Sequence, residues 1–125
     1  MKLAAALMLA ATTAGAIDVP SGQPLELYEV LVDDLGAETW IRFRFIAPQI
    51  ARETGTITYE QAEPDMAALC QTLAIPYIAE YELDGQVVVI SMSDRATEFG
   101  VPDPEATQFF EAYRLQNGVC VWEGV

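Results

Sequence analysis

The chain has 125 residues, 19 of them aspartate or glutamate against six lysine or arginine, with no histidine and a formal net charge of −13. That acid excess excludes nucleic acid and anionic membrane surfaces as partners, because both require cationic surface. The lack of histidine excludes hydrolases that use an imidazole base and metal sites built on imidazole.

Residues 1–16 read as an export signal, with Lys2 as the positive start, Leu3 to Ala14 as the apolar stretch and Ala14-Gly15-Ala16 as the small-x-small cleavage site. The apolar stretch falls well short of the roughly 20 residues needed to span a bilayer. No cysteine follows the cleavage site to take a lipid. Cleavage near Ala16 would leave residues 17–125 as a single domain, periplasmic or secreted, with five arginines as its cations and no membrane span. In an oxidising compartment the two cysteines, Cys70 and Cys120, are expected to pair. There is no C-x-x-C, lysine or histidine to lower a thiol pKa and suggest a redox role.

After an irregular lead-in from Ile17 to Pro24, Leu25 to Val32 and Trp40 to Ile46 read as the strands of a first hairpin. In the second strand Ile41, Phe43 and Phe45 share one face, while Arg42 and Arg44 share the other and face Glu29 or another carboxylate across the sheet. Pro48 to Gly55 suits a turn or two of helix. Thr58-Tyr59-Glu60-Gln61 has capping-box spacing, but Pro64 argues for a helix that starts later, with the proline in its first turn. Met66, Leu69, Cys70 and Leu73 then form one apolar stripe, and the helix is expected to stop before Pro76. Pro76 to Leu83 fits either a short second helix, the preferred reading, or a strand. Gln86 to Ser93, with Val87 to Ile90 all apolar, reads as a central strand buried on both sides. Arg95 to Phe99 suggests a short edge piece, and Gly100 to Glu105 a loop.

The chain closes on QFFEAYRLQNGVCVWE, Gln108 to Glu123, in which Asn117-Gly118 is a strong type I′ hairpin signal. A two-residue loop pairs Gln116 with Val119, Leu115 with Cys120, Arg114 with Val121 and Tyr113 with Trp122. Phe109, Tyr113, Leu115, Cys120 and Trp122 then share the core face, and Phe110, Arg114, Val119 and Val121 the other. Both tryptophans, Trp40 and Trp122, are expected to be buried or half-buried. The fold class that follows is α+β: an antiparallel sheet of four or five strands, one main helix packed on one face, and a disulfide from that helix to the last strand. The lead-in or the loop before Phe109 is expected to cover part of the second face.

No phosphate loop, dinucleotide fingerprint or zinc pattern is present, so no cofactor and no metal site is expected. Acid clusters at Asp33, Asp34 and Glu38, and at Asp103 and Glu105, read as solvated turns rather than calcium ligands. Carboxylates for glycoside hydrolysis would have to come from Glu29, Asp94 or Glu111, with no spacing that indicates it. Candidate binding residues are Arg42, Arg44, Asp94, Arg95, Glu111 and Arg114, a set able to hold a carboxylate or other small anion if it converges. The leading expectation is a module that binds a protein partner through a sheet face or the loop from Gly100 to Gln108. The alternative is a small enzyme or ligand carrier with an arginine and carboxylate pocket.

The runs from Trp40 to Pro48, Met66 to Leu73, Val89 to Arg95, Glu105 to Arg114 and Cys120 to Glu123 resemble a family of small exported bacterial proteins of unknown function. The resemblance spans nearly all of residues 17–125 and brings no functional residues to carry over. Some members bear an acetolactate synthase label. That reaction requires thiamine diphosphate and a chain several times longer, and nothing here resembles its cofactor motif.

Overall fold

The computed structural model describes residues 17–124. The expected export signal, residues 1–16, lies outside the described residues. Five strands form one sheet in the order β1-β2-β3-β4-β5: β1 Glu26–Asp34, β2 Thr39–Ile46, β3 Val87–Ser93, β4 Gln108–Gln116 and β5 Val119–Trp122. Three of the four pairings are antiparallel, but β2 and β3 run parallel, so the sheet is mixed rather than wholly antiparallel. The cause is the connection between them: a long crossover through the helices returns the chain to the end of the sheet where β2 began. β3 lies in the middle, and its run Val87 to Ile90 is buried throughout, as its two-sided apolarity predicts.

The helix α1 spans Tyr59–Leu69. It begins where the capping box indicated, not at Pro64: the Gln61 backbone N–H donates to Thr58 Oγ1, and the Thr58 N–H donates to Gln61 Oε1. Pro64 sits inside the helix, where it removes one donor near the start. Nor does the helical path stop before Pro76. Residues Cys70–Ala74 form a π turn, in which the Ile75 N–H reaches the Cys70 carbonyl, and α2, Ile75–Glu80, follows directly with Pro76 in its first turn. The wider turn replaces the regular bonding pattern that a proline interrupts.

The helical stripe packs on one face of the sheet. Met66, Leu69 and Cys70 are fully buried against Ile41, Phe43, Phe45, Val88, Ile90 and Met92, with Leu73 at the margin. The C-terminal hairpin has the expected register, and Asn117 and Gly118 take the positive φ values, 55° and 76°, of its turn. Cys120 on β5 is thereby aimed at the helix and bonded to Cys70, with Cα atoms 6.3 Å apart, inside the range that a disulfide accepts.

The lead-in is tied down by one buried side chain. Asp65 on α1, with no exposure, accepts hydrogen bonds from the Ser21 N–H (2.9 Å), the Ser21 hydroxyl and Gln23 Nε2 (2.7 Å). Ile17, Val19 and Leu25 pack beside it against the core. Three donors offset the cost of placing a carboxyl group out of water.

Candidate functional site

The face of the sheet opposite the helix carries three of the four candidate arginines. Alternation along β2 and β4 turns Trp40, Arg42, Arg44, Phe110 and Arg114 to this side. Under them lies a small second core of Val87, Val89 and Ala112, on which Trp40 packs. The arginine stems roof this core while their heads reach water or carboxylates.

Each head has different company. Arg44 is 8% exposed, pairs with Glu29 as the alternation of β1 and β2 indicated, and donates through Nη2 to the Thr97 carbonyl (3.0 Å) and hydroxyl (2.9 Å). Arg114 holds two carboxylates, Glu38 at 2.6 Å and Glu123 at 2.9 Å. Glu38 also accepts from the Trp40 indole. The hydrogen bond from Arg114, then that from Trp40, holds the Glu38 carboxyl below its ordinary pKa, and the same two carboxylates, Glu38 first, push Arg114 up. Arg42 differs from both. Its guanidinium lies 5.8 Å from the Trp40 ring and 5.4 Å from the Phe99 ring, its nearest carboxylate is Asp33 at 3.8 Å, and its buried Nε has no partner. Among the described residues the Arg42 side chain has no hydrogen-bond partner.

Residues 94–107 form no strand; they fold back over this face as a loop, which corrects the expected edge piece at Arg95 to Phe99. Thr97 and Phe99 deliver the contacts to Arg42 and Arg44, so the loop before Phe109 does cover part of the second face. Asp94 and Arg95 sit at its start. Burial alone would raise the Asp94 carboxyl, but hydrogen bonds from Arg95 and from the Thr107 backbone N–H hold it below its ordinary value. Arg95 also approaches Glu105 at 3.7 Å. Glu111 is on the other face, 5% exposed, accepting from the Trp122 indole at 2.7 Å.

The six candidate residues therefore do not converge. Asp94 is committed to Arg95 and Thr107, and Glu111 is separated from the arginine layer by the sheet. Depressions of about 430 and 290 Å³ on the described surface are lined by residues 50–58 with Thr107 to Phe109, and by residues 17–25; none of the four candidate arginines lines either. Among the described residues no three acidic or cysteine side chains are grouped to hold a metal ion. Trp122, expected in the core or half-buried, is 58% exposed, because the short β5 lies at the sheet edge beyond the reach of α1. Trp40 is half-buried as expected.

The sequence reading missed Glu38, Thr97, Phe99 and Glu123. Glu38 lies two residues before Trp40 at the end of a turn and carried a signal only as a member of an acid cluster. Thr97 and Phe99 carried none, since their place depends on how an irregular loop folds back.

What remains open on this face is a set of large side chains of a recognition type. Tyr28, Phe99, Phe110, Val119 and Val121 are 39–64% exposed, and Tyr28 and Phe99 stand within 5.6 Å of the Arg44 guanidinium. Aromatic residues and arginine are enriched at protein interfaces. No curated protein and no solved structure matches the chain. The model of one family of unknown function, DUF6497, matches residues 2–125, and the chain belongs to that family.

Proposed function

We propose that the protein is an exported, disulfide-stapled binding domain that engages a protein partner through the helix-free face of its sheet. Export is supported by the leader-like composition of residues 1–16 and by the Cys70–Cys120 disulfide, which fits an oxidising compartment. No helix among the described residues is long and apolar enough to cross a membrane.

The observation that carries the binding reading is Arg42. A guanidinium flanked by two aromatic rings, with its buried Nε–H unpaired, its one carboxylate neighbour 3.8 Å away and exposed apolar groups around it, is costly to keep unless a partner completes it. Its neighbours Arg44, held by Glu29 and the two Thr97 oxygens, and Arg114, held by Glu38 and Glu123, serve as the rigid surround. The dispersal of Asp94, Glu111 and the arginines weighs against the alternative of a closed arginine and carboxylate pocket for a small anion or a reaction.

The test is capture from periplasmic extract by the oxidised domain, with wild type compared against the double variant Arg42→Ala/Phe110→Ala. A discrete partner retained by wild type and lost by a variant that melts within a few degrees of it is the expected result. Absence of any partner across several salt concentrations, or equal capture by the variant, would refute the proposal.

A further inference from the structure

An open sheet has two free edges, and here they are treated differently. At β5 the Gln71 side chain acts as a short pseudo-strand: its Nε2 donates to the Gly118 carbonyl at 3.0 Å, and its Oε1 accepts from the Cys120 N–H at 3.1 Å. The disulfide anchors the helix at the same place. β5 is also only four residues long. β1, at the other edge, has nine residues. The Leu35 N–H donates to the Glu38 carbonyl at 2.8 Å, which sets the phase of the β1–β2 ladder. Antiparallel alternation then turns the N–H and C=O groups of Val30, Val32 and Asp34 away from β2, and no described residue bonds to them. Unpaired ladder groups of this kind are a template for another strand.

The side chains beside that edge specify what fits. On the helix side stand Val30 and Val32, the latter 56% exposed, followed by Asp34. On the helix-free side stand Glu26, Glu29, Leu31 and Asp33, of which Glu29 and Asp33 also pair with Arg44 and Arg42 within the domain while their side chains stay 39% and 41% exposed. A second copy of this chain is a poor occupant. Two β1 strands side by side would juxtapose those carboxylates, and each chain carries a net charge of −13. We propose that the outer edge of β1 accepts an extended segment of a partner polypeptide that alternates basic and apolar residues. Its main chain pairs with Val30, Val32 and Asp34, its apolar side chains lie beside Val30 and Val32, and its basic ones face Glu26, Glu29 and Asp33, the last two four residues apart and so about 13 Å along the strand. This inference rests on the reading of the domain as a binding module and adds the segment that it binds.

The test uses the oxidised protein and a nine-residue end-blocked peptide alternating lysine with valine or threonine, with a glutamate-for-lysine peptide as control. Hydrogen exchange is followed residue by residue. The expected result is that the basic peptide slows exchange at Val30 and Val32 at least tenfold and the acidic peptide does not. Glu26→Gln/Asp33→Asn should weaken the basic peptide at least fivefold with an unchanged melting temperature, and Val32→Pro should abolish the protection. Val30 and Val32 unaffected by the basic peptide, protected equally by both peptides, or already protected in a dimer without peptide would each overturn the proposal. Because the readout is at β1 and not at Arg42 or Phe110, its failure is distinguishable from failure of the helix-free face to capture a partner.

Discussion

Removing the Cys70–Cys120 disulfide is the perturbation whose size can be worked most directly. The bond spans 50 positions of the chain, and in the loop-entropy account a cross-link over that length stabilises the folded state by about 4 kcal/mol, chiefly by restricting the unfolded chain. For a domain of about 110 residues the entropy of unfolding is near 0.23 kcal/mol/K, so the double variant Cys70→Ala/Cys120→Ala should melt about 17 °C below the oxidised wild type. Cys70 is completely buried between helix and sheet, so the alanine side chains also test whether the interface holds without its tie. Thermal and guanidinium unfolding followed by circular dichroism supply the measurement, and the denaturant slope should rise as the unfolded chain expands. A melting temperature lowered by less than about 5 °C would refute the reasoning, because it would mean that the helix and the last strand are held together without the covalent link.

Three further outcomes are expected. Asp65→Ala leaves the Ser21 and Gln23 donors unpaired, should cost about 1–3 kcal/mol, and should expose the 17–25 lead-in to proteolysis; unchanged cleavage there would contradict its role as a latch. Gly55→Ala would place a Cβ 2.2 Å from the Gln49 carbonyl oxygen and 2.5 Å from that of Ala51, so a loss of roughly 1–3 kcal/mol by urea denaturation is expected, with the turn after β2 displaced. The pH profile of stability should fall at both ends. The carboxyls of Glu38 and Asp94 have folded-state values below their unfolded ones, so their contribution is present above the ordinary carboxylate range and is lost as pH falls through and below it. Burial, then Glu111 and Glu63, raise the Tyr113 phenol, so its contribution is present below about pH 10 and is lost as pH rises beyond that. Thermal melts of Asp94→Asn and Tyr113→Phe across pH should flatten the acid and alkaline limbs respectively, and unchanged limbs would show that other groups set them.

The parts of the fold that were legible are those in which a local pattern and a burial pattern coincide. Asn117-Gly118 dictated both the turn and the register of β4 with β5, and the Met66, Leu69, Cys70 stripe dictated which helical face meets the sheet. The errors arose where a local rule met a neighbouring correction. Pro64 suggested a later helix start, but the Thr58 and Gln61 caps satisfy the first turn and the helix tolerates one lost donor. Pro76 suggested a stop, but a π turn carries the helical path past it. The parallel pairing of β2 with β3 has no local signature at all, since it depends on where a crossover of this length returns. The site followed the same division. Arg44 with Glu29 was readable from cross-strand alternation, whereas the aromatic flank of Arg42 depends on Phe99, brought over the sheet by an irregular loop.

Intact-mass analysis of the protein recovered from the cells that naturally make it tests the exported, disulfide-stapled account most directly. The account predicts a chain beginning at Ile17, two hydrogens lighter than the reduced form and unreactive to a thiol alkylator until reduced. A chain that retains residues 1–16 and takes up two alkyl groups without reduction would contradict it.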